Sequence, residues 1–89
     1  MLVLPVDLTQ LQARAGLQML MHGLRLEQGA VVVVDAGALS RFDSAALAVL
    51  LEFRRASLAS GKNLAIRAMP KRLRDLATLY GIEELLPSD

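Results

Sequence analysis

The sequence predicts a small α/β domain with a mostly parallel or mixed sheet and helices mainly on one face. Three observations carry that reading. Strand-prone and helix-prone stretches alternate in the order β-α-β-α-β-α, so the helices act as crossovers between largely parallel strands. The segment Ala30–Val34 holds four consecutive valines, a run that disfavours helix. The chain has 89 residues, which suits one domain over 1–89 and leaves no room for a second.

Along the chain, Leu2–Leu4 is a short β-prone run stopped by Pro5, the pattern of a brief strand near a sheet edge. Asp7 and Thr9 are both capable N-caps, and Thr9 with Gln12 has the spacing of a capping box. Ala13, Leu17, Leu20, Met21 and Leu24 then recur at helical spacing. Gly16 and Gly23 lower the intrinsic helix propensity, so packing must hold this helix, and Gln28–Gly29 ends it. The valine run has no polar alternation, which implies a strand covered on both faces or placed centrally in a sheet. Asp43 or Ser44 caps a second helix that runs to about Ala59, with Phe42 seating the entering chain as a hydrophobic staple. Its first turns, Ala45–Leu51, are apolar nearly all round, so this helix is packed on two sides or partly open to a partner. Gly61 is a natural C′ residue. Leu64–Met69 reads as a strand with Leu64, Ile66 and Ala68 on one face. Pro70 suits the first position of a third helix, whose stripe is Leu73, Leu76, Ala77 and Tyr80 and whose stop is Gly81. Ile82, Leu85 and Leu86 form a short apolar tail.

Composition removes several function classes. The formal net charge is +1, so no global field recruits nucleic acid or anionic lipid. Aromatics are confined to Phe42, Phe53 and Tyr80, too few to stack single-stranded bases. There is no cysteine, hence no disulfide, thiolate nucleophile or thiolate zinc site. His22 is the sole histidine and sits within the first helix. No catalytic constellation, metal-ligand set or Gly-rich phosphate loop emerges, so no enzymatic role, metal or cofactor is expected. No apolar run reaches about 18 residues, and Met1–Pro5 lacks the features of a signal peptide, so the expected address is cytoplasmic. Arg67, Lys71, Arg72 and Arg74 cluster ahead of and within the third helix. They read either as a solvated helix face or as a contact for acidic partner groups or lipid head groups. Three cations at a helix N-terminus oppose its macrodipole at about 0.3–1 kcal/mol each.

The segment Ser40–Leu47 follows the valine strand and opens the over-apolar helix, which makes it the candidate contact site. Val31–Asp35, Leu39–Ser44 and Leu47–Leu51 together resemble the STAS domain, the family of sulphate transporters and anti-sigma-factor antagonists. Gly61–Leu64, Leu73–Leu76 and Leu79–Ile82 extend the likeness over nearly the whole chain. Within the family, Ser40–Ser44, Leu47–Ala48 and Leu76–Tyr80 through Leu86–Pro87 are most similar to the small STAS subunit of Mla-type phospholipid-transport ABC systems. The resemblance implies a non-enzymatic domain that binds and supports the ATPase of such a transporter. Its contact surface would comprise Arg41, Phe42, Asp43, Ser44, Ala45, Leu47, Ala48 and Leu51. The chain would reach the inner membrane only indirectly, through that complex. The alternative is an anti-sigma-factor antagonist whose partner is a kinase, with Ser44 as the phosphorylation site. Ala45 and Ala46 stand where antagonists carry their phosphorylated serine and the following glycine, which puts the phosphoswitch in question. Leu2–Leu4 matches the family's second strand, so the resemblance implies a sheet without the family's first strand, with an edge open to homodimerisation.

Overall fold

Nine short elements follow one another along the chain. In the computed structural model, which describes residues 1–89, they are β1 (Leu2–Val3), β2 (Asp7–Leu8), α1 (Ala13–Leu26), β3 (Val31–Asp35), β4 (Arg41–Phe42), α2 (Ser44–Ala59), β5 (Asn63–Arg67), α3 (Lys71–Leu79) and a 3₁₀ turn at Glu83–Leu85. The main sheet has the order β1-β3-β5 and is parallel throughout, with Leu2 opposite Val34 and Val32 opposite Leu64. The tail extends it on the β5 side: Ile66 N–H donates to Pro87 O at 2.8 Å, and Asp89 N–H donates to Ile66 O at 2.9 Å. No strand lies on the other side of β1.

The valine run is central, as its composition requires, but it is covered on one face only. Val32 and Val34 are fully buried with Leu64 and Ile66, whereas Val31 is 50% exposed and Val33 only half-buried. Helices α1, α2 and α3 send Leu20, Leu24, Leu47, Leu50, Phe53, Leu73 and Ala77 into the same core as those strand residues. Each such fully buried aliphatic or aromatic side chain favours the fold by roughly 1.5–3 kcal/mol over leaving it in water. Val31 and Val33 point to the opposite side, where no helix lies, because strand side chains alternate between faces.

Local chemistry explains most element ends. Gln12 Oε1 accepts from the Thr9 N–H at 2.9 Å and from Thr9 Oγ1 at 2.6 Å, but Thr9 Oγ1 accepts from the Leu11 N–H at 3.2 Å rather than from Gln12, so only one half of the predicted capping box forms, in the turn before α1. Asp7 is not a cap; it belongs to β2. Gly61 and Gly81 adopt φ of +76° and +72°, the left-handed turn that ends α2 and α3 at little cost for a residue without Cβ. The last strand stops at Arg67, two residues earlier than its pattern suggests, because Ala68 turns to φ +57° and is exposed. Pro70 caps α3 from just outside, its carbonyl accepting from Leu73 and Arg74. Tyr80 follows α3 and is exposed rather than part of the buried stripe. Within α2, Ser57 is the one buried polar residue, and its Oγ donates to Phe53 O at 2.8 Å.

Candidate functional site

Two segments distant in sequence build the site. β2 and β4 pair in parallel, Asp7 opposite Arg41 and Leu8 opposite Phe42. Val6 O accepts from both the Ser40 and Arg41 N–H groups, at 2.8 and 3.0 Å. This small ribbon clamps the chain entering α2 to the chain entering α1. Asp43 completes the clamp: its Oδ1 accepts from the Ala45 N–H at 2.8 Å, capping α2, and its Oδ2 accepts from the Gln10 N–H at 3.2 Å. Of the two caps the sequence offers, Asp43 and Ser44, it is Asp43 that serves. The second bond ties it to the turn before α1.

Around this clamp the surface has two hollows. The larger, about 470 Å³, runs between α1 and α2, with Ala13, Leu17, Ala45, Ala48 and Val49 as its apolar lining and Arg14, Gln18 and Glu52 as its polar one. It continues, through Ala45 and Ala48, into a depression of about 430 Å³ bounded also by Gln10, Asp43 and Ser44. The other hollow, about 320 Å³, lies against α3 between Phe42, Arg72, Asp75, Leu76 and Leu79. Ser44 sits at the start of α2, exposed.

The anticipated contact residues separate by burial. Arg41, Asp43, Ser44 and Ala48 are exposed, and Phe42 and Ala45 are half-buried at the rims of the hollows. Leu47 is 2% exposed and belongs to the core, so it supports α2 from beneath and offers nothing to a partner. Helical geometry explains this: Ala46, Leu47, Leu50 and Phe53 form the inward stripe of α2, and Leu47 is one of its members. Leu51 is half-buried against that core and borders neither hollow. The residues that spacing alone does not reveal are those of α1, namely Ala13, Arg14, Leu17 and Gln18. Only the tertiary fold sets them beside Ala45 and Ala48.

The basic cluster is dispersed among local partners. Arg67 pairs with Asp89 at 2.6 Å, Lys71 with Asp75 at 3.0 Å, and Arg74 donates to Ser88 Oγ at 2.8 Å. Arg72 lies over the Phe42 ring, 5.2 Å from its centroid, a cation–π contact worth about 0.5–1 kcal/mol where exposed. His22 is exposed and lies 3.4 Å from Arg25. No three His, Asp or Glu side chains group closely enough to hold a metal ion. No helix is long and apolar enough to cross a membrane.

A family model described as "Mlab, STAS domain" matches residues 23–87, from within α1 to the tail that pairs with β5. No curated protein matches the sequence. The match takes in β3, the clamp residues of β4, all of α2, β5 and α3, and the parallel α/β order agrees with it. Since it spans well over half the sequence, the chain belongs to the STAS domain family, in its Mlab branch.

Proposed function

We propose that this chain is the STAS subunit of a phospholipid-transport ABC system, docking on the transporter's cytoplasmic ATPase through the surface around Asp43, Ser44 and Ala48. Membership of the Mlab branch carries the class of function, a protein-interaction domain rather than a catalyst. The ATPase as partner and the maintenance of lipid asymmetry as outcome are the finer part of the proposal. So is a place at the cytoplasmic side of the inner membrane, reached through the complex. The observation that favours this surface is the continuity of the depression at Asp43–Ser44 with the apolar hollow between α1 and α2. An exposed hydroxyl and two alanines at the helix start leave room for a partner's backbone to approach closely. The subunit acts without chemistry of its own, by stabilising one assembly state of the ATPase.

The test is co-purification. Ser44→Arg places a long cation on the exposed start of α2, where the core is untouched, so the variant keeps the wild-type circular dichroism spectrum. It loses the ABC ATPase in a pull-down of co-expressed subunits. Undiminished co-purification would sink this placement of the interface.

The exposed Ser44 hydroxyl favours one second reading, an anti-sigma-factor antagonist phosphorylated there. Added phosphate at a helix N-terminus is well tolerated within the fold and repels an acidic partner surface. A gain of one phosphate in intact mass after incubation with an anti-sigma-factor kinase and ATP would replace the transporter reading with this one.

A further inference from the structure

We infer that the hollow between α1 and α2 receives an α-helix of the partner, running antiparallel to α1 and α2 and presenting an acidic side chain to Arg14. The inference rests on the reading that the chain docks on an ABC ATPase, and it names what that partner inserts.

Three features select the occupant. The first is the form of the walls. Both flanks are helical, and their lining residues recur one turn apart: Ala13 and Leu17 on one side, Ala45, Ala48 or Val49, and Glu52 on the other. Such surfaces offer grooves at helical pitch, into which the side-chain ridge of another helix fits. An extended segment would bring unpaired backbone N–H and C=O groups to a site with no strand edge to satisfy them, whereas a helix satisfies its own. Alanines at positions 13, 45 and 48 let its axis come close.

The second is direction. β1, β3 and β5 are parallel, so α1 and α2 are both return crossovers and run the same way. Their N-terminal ends, with partial positive charge from the aligned peptide dipoles, lie together at the Ser44 end of the groove. Asp43 is also there, but its two carboxylate oxygens already accept from the Ala45 and Gln10 N–H groups. A third helix in the opposite sense sets its negative C-terminal end against the two positive ones.

The third is charge. The chain's ion pairs are Met1–Glu27, Arg55–Glu52, Arg67–Asp89 and Lys71–Asp75, so Arg14 faces the groove with no carboxylate of its own. Across from it, Glu52 is shared with Arg55. A helix with an acidic residue on the α1 side is therefore favoured over one with a basic residue there.

The absence of cysteine makes the test direct, because a single introduced thiol is unique. Benzophenone-maleimide is attached to Ser44→Cys or Glu52→Cys, about two turns apart along α2, and each labelled chain is irradiated with the purified ATPase. Cross-linked ATPase residues, mapped by mass spectrometry, are expected in one helix, nearer its C-terminal end from position 44 and nearer its N-terminal end from position 52. Binding is measured in parallel. Ala48→Trp, which fills the groove from an exposed position, should weaken ATPase binding about tenfold or more, as truncation or blocking of a central contact does. Val31→Trp, on the uncovered sheet face, should bind as wild type. If the ATPase binds but Ala48→Trp binds equally well, the groove is not the site, while the transporter reading stands. Cross-links to a loop, to a second copy of this chain, or in the reversed order overturn the helix. An ATPase that binds neither wild type nor variants removes the transporter reading and this inference together.

Discussion

Asp43→Ala removes two hydrogen bonds with one substitution, and their worth follows from their positions. The Oδ1 bond to the Ala45 N–H, at 2.8 Å, is the N-cap of α2, and losing such a cap costs about 1 kcal/mol. The Oδ2 bond to the Gln10 N–H is longer, 3.2 Å, and exposed, so its loss lies at the lower end, near 0.5 kcal/mol. The sum is roughly 1–2 kcal/mol, and each kcal/mol lowers Tm by about 4–8 °C in a domain of this size. Asp43→Asn separates the two contributions. Asparagine is as good a cap as aspartate, but its amide nitrogen cannot accept from Gln10. Asp43→Asn should therefore lose about half as much as Asp43→Ala, part of that from the missing charge at the helix N-terminus. Equilibrium urea unfolding followed by far-ultraviolet circular dichroism gives the free energies, and hydrogen exchange should show faster Gln10 exchange in both variants. Unfolding of Asp43→Ala within about 0.5 kcal/mol of wild type would refute the clamp, since a surface change without a structural role falls in that range. An Asn variant as unstable as the Ala variant would show that charge matters more than cap geometry.

Three further outcomes follow from the packing. Gly16→Ala would ordinarily raise helix stability by about 1 kcal/mol, but its Cβ would meet fully buried Leu8 Cδ1 at 2.7 Å. Overpacking costs about 1–3 kcal/mol, so the net effect should be a loss, read as a lower urea midpoint. Phe53→Ala empties the largest fully buried side chain, costs about 3–5 kcal/mol, and should leave much of the protein unfolded at 37 °C by thermal circular dichroism. Leu86→Ala loosens the tail whose neighbour Pro87 pairs with Ile66, so it should lower stability by about 2–3 kcal/mol and speed exchange of the Ile66 N–H more than that of Val32.

The element order and the cap at Asp43 were legible because they depend on neighbours in sequence: a valine run, a capping residue, a stripe at helical spacing. The ribbon of β2 and β4 was not. Two residues carry no periodicity, and the partners Asp7–Leu8 and Arg41–Phe42 meet only through the fold. The exposure of Val31 escaped for a different reason. An unbroken apolar run reports that a strand is central but does not say that its second face lacks a covering layer. Leu47 shows the limit of a motif: the stretch around it marks the right end of α2, yet which of its residues face outward depends on where α1 and the sheet lie. For the same reason the α1 side of the hollow carries no signal in the chain, since Arg14 and Gln18 look like an ordinary polar helix face.

The sheet has unequal margins. Pro87–Asp89 occupies the β5 margin with its own backbone bonds, while the β1 margin is two residues long and free. A strand joining at β5 would have to displace the tail's two backbone bonds to Ile66, whereas one joining at β1 displaces nothing.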